Sequence, residues 1–316
     1  AAAIICAMPA ISSAAQVQSA YPARPIRVLI PFPAAGASDT IGRSLGEQLA
    51  AQLGQSVVVD NRPGAAGRLA TEMLVHAEPD GYTLLMMSNT HTVNETLIPN
   101  KPFALMKDFV GVAPINYSDL VLVAYPGTGL QNAADLIKRA QAQPGKLNYA
   151  SAGSGSGQHM YMELARSAAG IQIQHIPYKG NGPAMQALLS GEVDLIFDTS
   201  LGILPQVQGN RLRPIMTSSA KPMASMPQVP TMDSLFPGSG SQGWHAVFAP
   251  AATPKEVLAV LTEAIRKAVN SPDMAAKLRE LGLEPSGMGP DRFTDVVRRD
   301  LERWGKLIRD NGIKAD

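Results

Sequence analysis

From Arg27 to Asp39 a short apolar run, Val28-Leu29-Ile30, stops at Pro31 and Pro33, crosses Ala34 to Ala37, and enters a repeat with Ile41, Leu45 and Leu49 on one face. That pattern predicts a strand, a tight loop and a helix start. Ser56 to Asp60 reads as a second short strand, and the turn Asn61 to Gly67 opens a helix through Met73. Asp80-Gly81 then turns the chain into a third strand, Tyr82 to Met87, which ends at Ser88-Asn89-Thr90-His91-Thr92. Strand, helix, strand, helix, strand is the pattern of a parallel sheet. Ligands of such sheets sit beyond the strands' carboxyl ends, so the loops 33–39 and 88–92 are expected to be neighbours.

The second half repeats these patterns. Leu120 to Tyr125 reads as a strand crossing to a second domain, and Asn132 to Gln143 as an amphipathic helix. Lys146 to Ala150 reads as a strand running into Gly153-Ser154-Gly155-Ser156-Gly157, with a helix through Met162 and Leu164 beyond it. Ile171 to Ile176 alternates like a half-buried strand and is broken by Pro177-Tyr178-Lys179-Gly180. A helix ending at Gly191, a strand over 193–198 and a returning strand over 212–217 follow, then an ordered Pro-rich connection over 222–237. Gly243 to Ala249 brings the chain back to the first sheet. The predicted division is a leader at 1–20, a first domain of 21–123 plus 223–316, and a second of 124–222.

The tail is helical. Thr253-Pro254-Lys255-Glu256 predicts a capping box with proline at the first helical position, Ser271-Pro272 starts the next helix, and Gly282 ends it. Phe293, Val296, Val297, Leu301, Trp304 and Ile308 form one apolar face, read as packing.

Composition narrows the class. A chain of 316 residues can fill two domains, and a net charge of +1 points to neither nucleic acid nor an anionic membrane. Residues 1–20, Ala-rich with Ile4, Ile5 and Ile11, read as the remnant of a secretory leader. The single cysteine, Cys6, falls inside it, so a mature chain would have neither a disulfide nor a thiolate nucleophile. The histidines lack metal-site spacing, and no metal or other cofactor is expected.

Both glycine-bearing loops precede helices, where free N–H groups and the helix dipole favour an anion. In the second loop a dinucleotide fingerprint fails because Gln158 and Met160 stand where its third glycine belongs, and a nucleophile elbow fails on the serine spacing. What remains is an anion nest, or a plain solvent loop. His159 is read either as a ligand donor or as a cap of its own turn. Asp198 would repel an anion, so it is read as a cap or a water holder before a seat for an amino group. Ser154, His159 and Asp198 match a hydrolase in residue type alone, and an enzyme is not expected.

Taken together, Tyr21-Pro22-Ala23-Arg24-Pro25-Ile26, Pro31 to Gly36 with Asp39, Asn61 to Gly67, Pro79 to Leu84, Tyr149 to Gly153 with Gly157, Pro177-Tyr178-Lys179-Gly180, Gly191 to Asp194 with Phe197-Asp198, and Val229-Pro230-Thr231 resemble the Bug family. These are periplasmic receptors of tripartite tricarboxylate transporters. The resemblance implies an α/β, two-lobed type II periplasmic-binding fold, each lobe a mainly parallel sheet flanked by helices, which closes on a small carboxylate in the interlobe cleft. It implies that Phe32, Ala34, Gly36, Ala37, Asp39, Ser88, Thr90 and His91 line one lobe. Ser151, Ser154, Gly155, Gly157, His159, Tyr178, Lys179, Gly180 and Asp198 would line the other. The implied ligands are di- or tricarboxylates, amino-acid carboxylates or aromatic acids, with terephthalate or phthalate suggested by Phe32, His91 and His159. The implied protein partners are the integral-membrane permease subunits, served by a periplasmic monomer. Signalling to a membrane sensor from the same fold, and ester hydrolysis, are the alternative roles.

Overall fold

A computed structural model describes residues 21–314 except 35, 65, 66 and 99. The expected leader with Cys6, and Ala35, Ala65 and Ala66 of the two first-lobe loops, lie outside the described residues. The chain opens with β1 (Ile26–Ile30), α1 (Ala37–Leu53), β2 (Val57–Asn61), α2 (Arg68–Val75), β3 (Thr83–Ser88), α3 (Thr90–Leu97), α4 (Leu105–Asp108) and β4 (Phe109–Ser118). Then come β5 (Leu120–Ala124), α5 (Ala133–Ala142), β6 (Asn148–Ser151), α6 (Gly157–Ala169), β7 (Gln174–Pro177), α7 (Asn181–Ser190), β8 (Leu195–Thr199), α8 (Ser200–Gln208) and β9 (Arg213–Thr217). It closes with α9 (Met232–Leu235), β10 (Gly243–Pro250), α10 (Lys255–Val269), α11 (Pro272–Glu280), β11 (Glu284–Pro285) and α12 (Pro290–Asn311).

Two sheets result, ordered β11-β4-β10-β3-β1-β2 and β7-β6-β8-β5-β9. The expected parallel pairing holds for β1 with β2 and β3, and for β6 with β7 and β8. Both sheets are nevertheless mixed rather than mainly parallel. β10 runs antiparallel to β3 and β4, and β5 antiparallel to β8 and β9, because these strands enter from the crossover instead of from a helix.

The chain passes between the sheets at Asp119 and again just before Gly243. β5 pairs only with second-sheet strands, so residues 120–123 go with that sheet, whereas the predicted first domain ran through 123. Met223, Met226 and Val229 also pack into the second core, and Thr217 bridges to Thr231, so the Pro-rich connection extends that lobe past the predicted boundary at 222.

Each sheet is covered on both faces. In the first lobe, Ile41, Leu45 and Leu49 of α1 share a core with Leu261 and Ile265 of α10, while Ala70 and Leu74 of α2 pack opposite with Trp244, Phe248 and Phe293. α12 serves both lobes. Phe293 and Val297 belong to the first lobe's core, whereas Trp304, Leu307 and Ile308 lie in a cluster with Tyr149, Tyr161 and Phe197 of the second. Its apolar stripe is packing, and it fastens the lobes together. The capping box expected at Thr253 does not form. The Thr253 hydroxyl donates to the Pro250 carbonyl at 2.7 Å, and Pro254 takes the cap position, so α10 opens at Lys255 without a side-chain cap. Among the described residues no helix is long and apolar enough to cross a membrane.

Candidate functional site

The carboxyl ends of β1 and β3 in one lobe, and of β6 and β8 in the other, border the crossover. Ser88, the last residue of β3, lies opposite His245, two residues beyond the start of β10, and Thr199, the last of β8, lies opposite Leu120, the first of β5. The lobes also touch here: a methyl group of Leu97 on α3 stands 2.5 Å from where a Cβ at Gly155 would be.

In the first lobe, α1 opens at Ala37 behind the cap residue Gly36, with no side-chain cap, so its first-turn amides at Ala37 and Ser38 face the loop as donors suited to an anion. Gly36 itself has an ordinary φ of −84°, and a Cβ there would meet nothing closer than the Pro33 carbonyl at 3.5 Å. Ala34 and Gly36 are exposed, while Phe32 is half-buried against the first-lobe core. Asp39 is buried, and its carboxylate is neutralised one turn on by Arg43, at 2.9 and 3.0 Å. Arg43 also donates to Asn61 Oδ1 at 3.1 Å, and Asn61 Nδ2 donates to the Phe32 carbonyl at 3.1 Å. The end of β2 thus fixes the loop after β1.

The segment after β3 is helical where sequence predicts a loop, because α3 opens at Thr90. His91 is buried, and its Nδ1 accepts from the Ser88 N–H at 3.2 Å. Among the described residues its Nε2 has no hydrogen-bond partner, and it stands 3.3 Å from where a Cβ at Gly67 would be. His245 joins this half-site through the Ser38 hydroxyl, 3.2 Å from its Nε2. Sequence reasoning did not include His245 among the site residues. Its signal would have been its position two residues inside the strand returning to the sheet centre. Burial pushes both histidines down to about 4, and His91 further depresses His245, so both rings are neutral at neutral pH. This half-site therefore offers hydroxyls, amides and neutral rings.

In the second lobe the glycine loop is wired internally. The Gly153 N–H donates to Ser151 Oγ at 3.1 Å, the Gly155 N–H to His159 Nδ1 at 3.0 Å, and the Ser156 N–H to the Gly153 carbonyl at 3.1 Å. Ser156 caps α6 by accepting from the His159 N–H at 3.4 Å. The nest predicted from sequence is thus narrower, because three of its amides, those of Gly153, Gly155 and Ser156, are spent within the loop, and the Gly157 and Gln158 amides at the helix start remain for a ligand. Gly153 and Gly155 have φ values of +117° and +77°, so here the glycines are required.

Asp198 is buried, which raises its pKa, opposed by the Asn181 amide at 3.0 Å and the Thr199 N–H at 2.7 Å. It neither caps α8, whose cap residue is Thr199, nor bonds an imidazole. Gln158 donates to Asn181 Oδ1 at 3.0 Å, so Gln158, Asn181 and Asp198 join the starts of α6 and α7 to the end of β8. Sequence reasoning missed Gln158 and Asn181, although each follows a glycine of a site loop. Ser151 is fully buried, so the structure places it beneath the loop. Tyr178 turns its hydroxyl to Glu192 at 3.0 Å, Lys179 is exposed, and Gly180 caps α7 at φ +111°. Among the described residues no group of three or more His, Cys, Asp or Glu side chains is placed to hold a metal ion.

Comparison with known proteins agrees with this architecture. Protein BugT of Bordetella pertussis is 34% identical over 297 residues, 93% of this chain and 91% of the relative. The solved Rpa4515 of R. palustris with adipate superposes with a TM-score of 0.79 at 29% identity, covering 94% of this chain and all of that one. MatC of Rhodopseudomonas palustris with bound malate gives 0.76 at 28% identity, with 91% and 100% covered. The family model described as tripartite tricarboxylate transporter family receptor matches residues 41–313, and the chain belongs to that family.

Proposed function

We propose that this chain is a periplasmic receptor that captures a small dicarboxylate or tricarboxylate between its lobes and hands it to the integral-membrane subunits of a tripartite transporter. The observation that carries the reading is the pair of helix starts, α1 uncapped in one lobe and α6 behind its wired glycine loop in the other, both bordering the crossover. Each supplies outward amides at a positive helix end. With Asp39 already neutralised by Arg43, and His91 and His245 neutral, the acid is held by hydrogen bonds and dipoles, without a full counter-charge.

The three rings that suggest an aromatic acid are engaged inside their own lobes. Phe32 packs against the first core, His91 bonds Ser88, and His159 stacks on His175. An aliphatic diacid, the class to which the adipate and malate of the two neighbours belong, therefore comes before terephthalate.

Calorimetric titration with adipate, malate, citrate, terephthalate and adipamide tests the reading. At least one acid is expected to bind at micromolar or tighter Kd while the uncharged adipamide does not. Failure of all four acids, or equal binding of the amide, would overturn it.

A further inference from the structure

Beneath the second-lobe loop lies a pile of three rings that the carboxylate reading does not use. The Tyr149 and His175 rings stack at 4.8 Å between centroids, and those of His175 and His159 at 4.0 Å, tilted by only 14°. Each imidazole is tied to the loop by a hydrogen bond. His175 Nε2 lies 2.6 Å from Ser151 Oγ, which in turn accepts the Gly153 N–H at 3.1 Å, and His159 Nδ1 accepts the Gly155 N–H at 3.0 Å. The bottom of the pile is fixed to α6, because the Tyr149 hydroxyl donates to Glu163 at 2.7 Å and Glu163 pairs with Arg166.

We propose that His159 and His175 are positioning residues, which hold the loop 152–157 in its left-handed glycine conformation so that the α6 start presents its amides to the acid. Stacking fixes the plane of each imidazole, and the plane fixes where its nitrogen meets the loop. His175 acts through Ser151, at one remove from the cleft. An imidazole whose Nδ1 accepts an amide proton carries its own proton on Nε2, so the arrangement also fixes the His159 tautomer. The inference rests on α6 being half of the acid site, but the loop's wiring can be measured without any ligand.

The experiment is amide hydrogen exchange, read by NMR on the ligand-free chain, for His159→Leu, His159→Asn, His175→Leu and His175→Gln. An Asn carbonyl can take the place of Nδ1, and a Gln amide the place of Nε2. Exchange at Gly155 is expected to rise about tenfold in His159→Leu and to stay within about threefold of the parent in His159→Asn, the scale of one lost hydrogen bond. Gly153 is expected to behave likewise in His175→Leu against His175→Gln. Equal changes in the Leu and amide variants would reduce the rings to packing and overturn the proposal, as would no change in any of them.

Should the variants fail to fold, nitrogen NMR of the parent decides. His159 unprotonated at Nδ1 at neutral pH supports the arrangement, and protonation there overturns it. If the loop results hold while the parent binds no acid in calorimetry, the receptor reading fails and the positioning role stands.

Discussion

Asp300 is a buried carboxyl on α12 that receives the Trp244 indole N–H at 2.8 Å. Burial raises it from 3.8 to about 6, partly offset by that hydrogen bond and by Arg303 and Arg299. The folded state thus holds this proton more tightly than the unfolded chain, and the group's contribution to stability falls as pH rises from about 4 to about 6. Asp300→Asn is expected to be more stable than the parent at pH 7.5, by on the order of 1–3 kcal/mol, with no advantage from this group below pH 4. His91 and His245, depressed to about 4, act in the opposite sense. The unfolded chain binds their protons first, so stability is lost as pH falls from 6.5 to 4. Chemical denaturation across that range should therefore show a steeper acid loss in Asp300→Asn, where the opposing carboxyl is gone. A profile parallel to the parent's would contradict the raised Asp300 carboxyl, and a parent and variant that both keep their stability from pH 6.5 to 4 would contradict the depressed histidines.

At this scale the sequence told more about which residues surround the site than about what each does. Ser88 and His91 do stand at the end of β3, yet Ser151 lies under the loop and Asp198 is occupied by Asn181. Spacing along the chain marks a loop, whereas hydrogen-bond partners such as Asn61 for Arg43, or His245 for Ser38, come from distant elements.

Among the elements, α6 depends most on its first turn. Ser156→Ala removes the side-chain cap and is expected to cost about 1 kcal/mol, read by denaturation. It should also weaken acid binding, because the amides of that turn are the proposed contact. An unchanged midpoint and an unchanged Kd would separate the cap from both roles. Elements with one clean period were legible: β1, α1, β3, α7 with its Gly191 cap, and α11 between Ser271 and Gly282. β4 was not, because Pro114 and the register shifts opposite β10 break its alternation and polar Asn116 is buried within it. The box at Thr253 failed for a similar reason, since the hydroxyl found a carbonyl acceptor closer than the helix it was to cap.

For the whole molecule, α12 is the connection that sequence could describe but not place. Its stripe reads as a single face, yet half of that face lies in each core, and only the folded chain shows Trp304 edge-on to Tyr161 at 5.4 Å. Trp304→Ala is expected to cost about 3–5 kcal/mol. Both lobes should then lose stability together in a single unfolding transition; two separate transitions in the parent would contradict the shared core. The predicted domain boundaries missed β5 and the span 223–231 because an apolar strand carries no mark of the sheet it will join.

The central claim is that one acid is held by the amides of two helix starts, one from each lobe. The most direct measurement is a crystal structure of the chain with the tightest acid of the calorimetric series. The account predicts carboxylate oxygens within hydrogen-bond reach of the amides of Ala37 and Ser38 on α1, and of Gly157 and Gln158 on α6. An acid seated elsewhere, or touching one lobe alone, would contradict it.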